Sequence, residues 1–87
     1  MNKYEQTPEH IIDLHGYTTA EAKLLLDTVF AFKKFSHVRV ITGKSTYRGK
    51  PAVLLPFVKR YVLEHGVDFR PAKPQDGGEG ALEVFLK

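Results

Sequence analysis

A two-layer α/β sandwich, built in the order β-α-β-α-β-β on a mixed four-stranded sheet, is the fold this sequence predicts. Three observations lead there. Stretches with two-residue apolar alternation take turns with stretches of helical spacing, which implies right-handed crossovers and a parallel sheet core. The connection at 71–80 is rich in proline, glycine and polar residues and too short for a helical crossover, so the last strand should run antiparallel. Two helices are too few to cover both faces of a sheet, so one layer of helices should lie on one layer of strands.

Residues 1–9 are polar and nearly closed by Pro8, and are expected to be a flexible leader to a domain spanning 10–87. The first strand is expected at about 10–15, through Ile11-Ile12-Asp13-Leu14-His15. Side chains alternate along a strand, so Ile12 and Leu14 share one face while Asp13 and His15 share the other. Gly16 then allows a sharp turn. Thr18 and Glu21 have capping-box spacing. Ala22, Leu25, Leu26, Val29, Phe30 and Phe32 follow at helical intervals, predicting a helix over 19–34 closed by Lys33 and Lys34.

His37 to Thr42 alternates and is β-branched, a second strand. Residues 43–50 form a polar loop with two glycines. A helix begun at Pro51 would carry Pro56 in its interior, where the ring clashes one turn back. A start at Val53 or Leu54 leaves Pro56 in the first turn, with Leu55, Val58, Tyr61 and Val62 inward and Gly66 as the stop. Val67 to Arg70 is a third strand. Ala81 to Leu86 is the fourth, with Leu82, Val84 and Leu86 inward and Glu83 and Phe85 outward.

Composition narrows the function. The chain has 87 residues, no cysteine and a net charge of +3. Disulfides and thiolate metal sites are excluded. No apolar run approaches the ~20 residues of a membrane span, and the amino terminus lacks the apolar core of a signal peptide. A soluble cytoplasmic protein is expected. No acidic residue occurs between Asp27 and Glu64, an interval holding Lys33, Lys34, Arg39, Lys44, Arg48, Lys50, Lys59 and Arg60. Such a block can draw a polyanion to one side of a small domain; scattered solvated lysines are the plainer alternative.

Loops that follow parallel strands gather at the carboxyl edge of a sheet, where ligands bind. Asp13, His15 and the loop Thr42-Gly43-Lys44-Ser45-Thr46-Tyr47-Arg48-Gly49-Lys50 should meet there. An imidazole can exchange protons near neutrality, and an aspartate beside it can orient the ring. The loop offers amides and hydroxyls to position a phosphate backbone and cations to neutralise it, with Tyr47 placed to stack on a base. Gly43-Lys44-Ser45-Thr46 is not a P-loop: the glycine required five residues earlier is Val38. Asp13 and His15 could instead supply part of a divalent-metal site for magnesium or manganese, but two ligands are an incomplete set. An Asp-x-His at a strand end can also be simply structural. His10 and His37 begin strands without an obvious partner, and His65 suits a helix carboxyl terminus.

As an ordered set, these segments resemble the Smr (small MutS-related) domain. The likeness is carried by Ile12-Asp13-Leu14-His15-Gly16 with Ala20-Glu21-Ala22, Val38 to Lys44, Leu55-Pro56, Phe69-Arg70-Pro71-Ala72, and Gly77 to Leu86. The resemblance implies a fold like the carboxy-terminal domain of bacterial translation initiation factor three. It implies nicking or structure-directed endonuclease activity on DNA, as in repair or recombination, or endoribonuclease activity in messenger-RNA quality control at stalled ribosomes. It links Asp13 to Gly16 with cleavage and Thr42 to Ser45 with substrate contact. The chain departs from the family pattern at Ser45, where the loop motif has a second glycine. That leaves a non-catalytic module binding branched DNA or structured, ribosome-associated RNA as the alternative, with a protein-interaction domain as a third.

Overall fold

The computed structural model describes residues 7–43, 46–47, 50–51, 53–76 and 78–86. Strand β1 spans His10–Asp13, helix α1 Thr19–Phe32, β2 His37–Ile41, β3 Thr46–Tyr47, β4 Lys50–Pro51, α2 Leu54–Glu64, β5 Asp68–Pro71 and β6 Ala81–Phe85. Single 3₁₀ turns at Pro74–Asp76 and Gly78–Gly80 lie between β5 and β6. The main sheet has the order β1-β2-β6-β5. β1 and β2 are parallel, and β6 runs antiparallel to both of its neighbours.

The last strand is therefore central, inserted between β2 and β5, a placement that element order alone does not dictate. Four of its five residues are buried. β5 is left as an edge strand, which tolerates Pro71 at its end. Ile12, Val38, Val40, Leu82 and Val84 turn to the helix side and pack against Ala22, Leu26 and Val29 of α1 and Leu54, Val58, Tyr61 and Val62 of α2. The other sheet face carries Ile11, Asp13, Arg39, Glu83 and Arg70, by alternation from those core positions.

Both helices begin as their local chemistry requires. The Thr18 hydroxyl accepts from the Glu21 amide at 3.1 Å while the Glu21 carboxylate accepts from the Thr18 amide at 2.9 Å, a pairing that supports the first turn by about 1 kcal/mol. In α2 Pro56 falls in the first turn, where its missing N–H would have no intrahelical partner anyway.

Several features differ from the sequence reading. α1 ends at Phe32 because Lys33 is left-handed, with φ 54°, so Phe32 is 62% exposed rather than core. Within and just after the stretch read as loop, Thr46–Tyr47 and Lys50–Pro51 pair as a small hairpin. Glu9, read as leader, is tied down: its amide donates to the His37 carbonyl at 2.9 Å and its carboxylate accepts from the Ser36 and His37 amides. His10 is not alone but stacks on Phe35, with ring centroids 5.0 Å apart.

Candidate active site

β1 stops at Asp13 because the aspartate side chain captures the backbone two residues on. Asp13 Oδ1 accepts from the His15 amide at 3.1 Å, an Asx-type turn that competes with further strand pairing. β1 thus ends two residues earlier than the alternating run suggests, with Asp13 as its last residue and His15 on the turn that follows. Leu14 between them is fully buried and its amide donates to the Ile41 carbonyl at 2.7 Å. Gly16 completes the turn with φ 81°, a conformation that favours glycine.

The same Oδ1 lies 2.6 Å from His15 Nδ1. An ionised carboxylate only accepts, so Nδ1 carries the proton and donates. In the neutral ring Nε2 then keeps its lone pair, on a side chain 65% exposed. The ring hydrogen bond, followed by the backbone amide, holds the Asp13 carboxyl below its ordinary range. The arrangement leaves a proton acceptor facing solvent, its tautomer fixed from behind.

The exit of β2 meets this turn. Gly43 has φ 87°, and a Cβ built on it would stand 3.3 Å from His15 Cβ. The two loops expected at the carboxyl edge do converge, at Gly43 and His15. However, the Gly43 amide donates to the Gly80 carbonyl at 3.1 Å, so that amide is engaged rather than open to a phosphate. The Gly78–Gly80 turn, read from sequence only as loop, forms a third side of the rim. Its one sequence signal is the dense glycine spacing at Gly77, Gly78 and Gly80.

Of the other loop residues, Lys44, Ser45 and Arg48 lie outside the described residues. Tyr47 and Lys50 are register partners in the β3–β4 hairpin. Among the described residues, the cations of the acid-free interval do not gather as one block. Lys33 and Lys34 follow the far end of α1, a helix of 14 residues and hence about 21 Å long. Lys59 and Arg60 are exposed on α2.

A metal would need more donors than the pair supplies. Among the described residues no three histidine, aspartate or glutamate side chains are grouped to hold one, and Asp13 Oδ1 already accepts two hydrogen bonds. Those residues do not fit a magnesium or manganese site. Among them, too, no helix is long and apolar enough to cross a membrane.

The chain matches the family model described as the Smr domain over residues 12–87. It belongs to the Smr family. The crystal structure of the Smr domain of Thermus thermophilus MutS2 superposes with a TM-score of 0.76 at 29% identity, covering 90% of this chain and 98% of that one. The solution structure of the B3BP Smr domain gives 0.68 at 29% identity, covering 92% and 80%. The crystal structure of the human small-MutS related domain gives 0.65 at 32% identity, covering 87% and 99%. An uncharacterized protein of Treponema pallidum (strain Nichols) is 41% identical across 92% of this chain, which spans 42% of that relative's length. This Smr domain therefore shares its mixed sheet and paired helices with relatives from bacteria to human, and its Asp13–His15 turn falls within the matched region.

Proposed function

We propose that this Smr domain is a nucleic-acid endonuclease that cleaves phosphodiester bonds at the rim formed by Asp13, His15 and the 43–50 segment. The single observation carrying this reading is the bond from His15 Nδ1 to Asp13 at 2.6 Å on an exposed turn, which frees Nε2 to act as a base.

In the proposed step, Nε2 takes a proton from the attacking oxygen, either a water or, in RNA, the 2′-hydroxyl. The new P–O bond forms as the bond to the leaving oxygen breaks, and the leaving oxygen takes up a proton. Asp13 keeps the imidazole in the required tautomer and stabilises the imidazolium that forms. Lys44, Arg48 and Lys50 neutralise the phosphate, Ser45 supplies a hydroxyl, and Tyr47 stacks on a base. Gly43 contributes close, bare backbone beside His15.

The family departure at Ser45 favours a second reading, in which the same rim grips nucleic acid and cuts nothing. A side chain there limits positive-φ geometry and close backbone approach. Incubation with labelled branched DNA and structured RNA, with and without magnesium or manganese, separates the two. Cleavage by wild type that His15→Ala abolishes supports the endonuclease; binding without cleavage supports the module. Lys44→Ala combined with Arg48→Ala should weaken binding and lower its salt slope by about one for each cation. An unchanged slope removes the loop from the interface.

A further inference from the structure

We infer that Thr42, Gly43 and the carbonyl of Gly80 form a positioning relay that sets where the His15 imidazole stands. Its catalytic consequence rests on the endonuclease reading, whereas the positional claim does not.

The relay begins at β6. The Gly80 carbonyl accepts from the Thr42 amide at 2.7 Å and from the Gly43 amide at 3.1 Å. The Thr42 hydroxyl lies 3.2 Å from the same oxygen, inside the protein. Thr42 itself is buried, so these groups are held without competition from water. The bond from Thr42 continues the β2–β6 ladder one step beyond its last pair, Ile41 with Ala81. Gly43 then leaves the ladder with positive φ, which brings its backbone against His15.

The contact with His15 is close. Only hydrogen occupies the position from which a Cβ would meet His15 Cβ at 3.3 Å, tighter than an ordinary van der Waals approach. On its other side, the backbone just before His15 is fixed by the Leu14 bond to Ile41. His15 Cβ is thus confined between its own strand and the Gly43 backbone. The direction of the ring, and hence the short bond from Nδ1 to Asp13, depends on where Gly43 stands. Gly43 in turn stands where Gly80 holds it. Thr42 and Gly43 act through His15 and touch no reacting atom in this scheme.

Gly66 supplies an internal control. It shares positive φ, at 68°, but a Cβ added there meets nothing within 4 Å. Gly66→Ala carries the backbone strain of Gly43→Ala without the contact to His15. Thr42→Val removes the hydroxyl at similar volume, and Thr42→Ser keeps it.

The test is ¹⁵N NMR of the whole chain, reading which ring nitrogen of His15 carries the proton, with Asp13→Asn marking the shift expected when the carboxylate is lost. Gly43→Ala and Thr42→Val should move the His15 ring signals toward the Asp13→Asn position. Thr42→Ser and Gly66→Ala should keep the wild-type signals. If Gly43→Ala folds with wild-type His15 signals, or Thr42→Val does should the alanine variant not fold, the relay is overturned. On a cleaved substrate, Gly43→Ala should lower kcat about tenfold or more with KM little changed, as expected when a reacting group is slightly misplaced. Ring shifts that respond in a protein that cuts nothing would sustain the relay and remove the endonuclease reading alone.

Discussion

Two imidazole–carboxylate pairs stand in different regions of this small domain, and their chemistry is nearly the same. At the carboxyl edge, His15 meets Asp13 at 2.6 Å with both side chains at least half exposed. On the helix-free face of the sheet, His37 Nε2 meets Glu83 at 2.5 Å with both side chains 93% buried or nearly so, at 7% exposure each. Glu83 also accepts from Arg39 Nε at 2.7 Å. His37 stacks on Phe85, and its Nδ1 is buried without a partner among the described residues. The inner pair is a cross-strand brace with no access to a substrate. The outer pair has one ring nitrogen anchored and the other in water. Surroundings, not residue types, separate the buried strut from the exposed pair proposed to react.

That contrast predicts a gradient of stability losses. Glu83→Ala removes the carboxylate that braces buried His37 and also accepts from Arg39, and should cost about 3 kcal/mol, seen as a large drop in the midpoint of urea unfolding. Tyr61, on the helix side, is intermediate: its hydroxyl donates to Asp27 at 2.5 Å. Burial, then the bond to Asp27, pushes the Tyr61 hydroxyl well up from its ordinary value. Tyr61→Phe should cost about 1 kcal/mol. His15→Ala, on an exposed turn, should change stability by less than about 0.5 kcal/mol. Were the His15 variant the least stable of the three, the outer pair would be structural as well.

Acid sharpens the same comparison. Asp13 is held low by His15, and Asp27 is held low by Lys23 and then by the Tyr61 hydroxyl. Their folded carboxyls lose protons more readily than their unfolded counterparts. Within that window the unfolded chain binds more protons, so stability rises with pH. Their contributions are fully present above the unfolded aspartate value and vanish as pH falls through the lower folded values. Asp13→Asn and Asp27→Asn should each flatten the acid limb of stability against pH. An unaltered limb in both would show that neither carboxylate is perturbed.

The parts of this molecule legible in its sequence are those fixed by local rules. Alternation placed Ile12 and Leu14 in the core and Asp13 and His15 outside it. The Thr18–Glu21 capping box, the late start of α2 around Pro56 and the stop at Gly66 follow from backbone chemistry. Cross-strand register is not local, so His37, Arg39 and Glu83 showed no sign of meeting 44 to 46 positions apart. The central place of β6 was hidden for the same reason, and with it the Gly80 carbonyl that holds Gly43. Helical periodicity over-extended α1, because Lys33 adopts a left-handed conformation that residue spacing does not reveal.

The central claim is that the exposed pair alone performs chemistry. Wild type, His15→Ala and His37→Gln should be compared on one labelled nucleic acid, at a temperature where all three are folded and bind it equally. The account predicts that His37→Gln cuts like wild type while His15→Ala binds without cutting. Undiminished cleavage by His15→Ala, or equal loss in both variants, would contradict it.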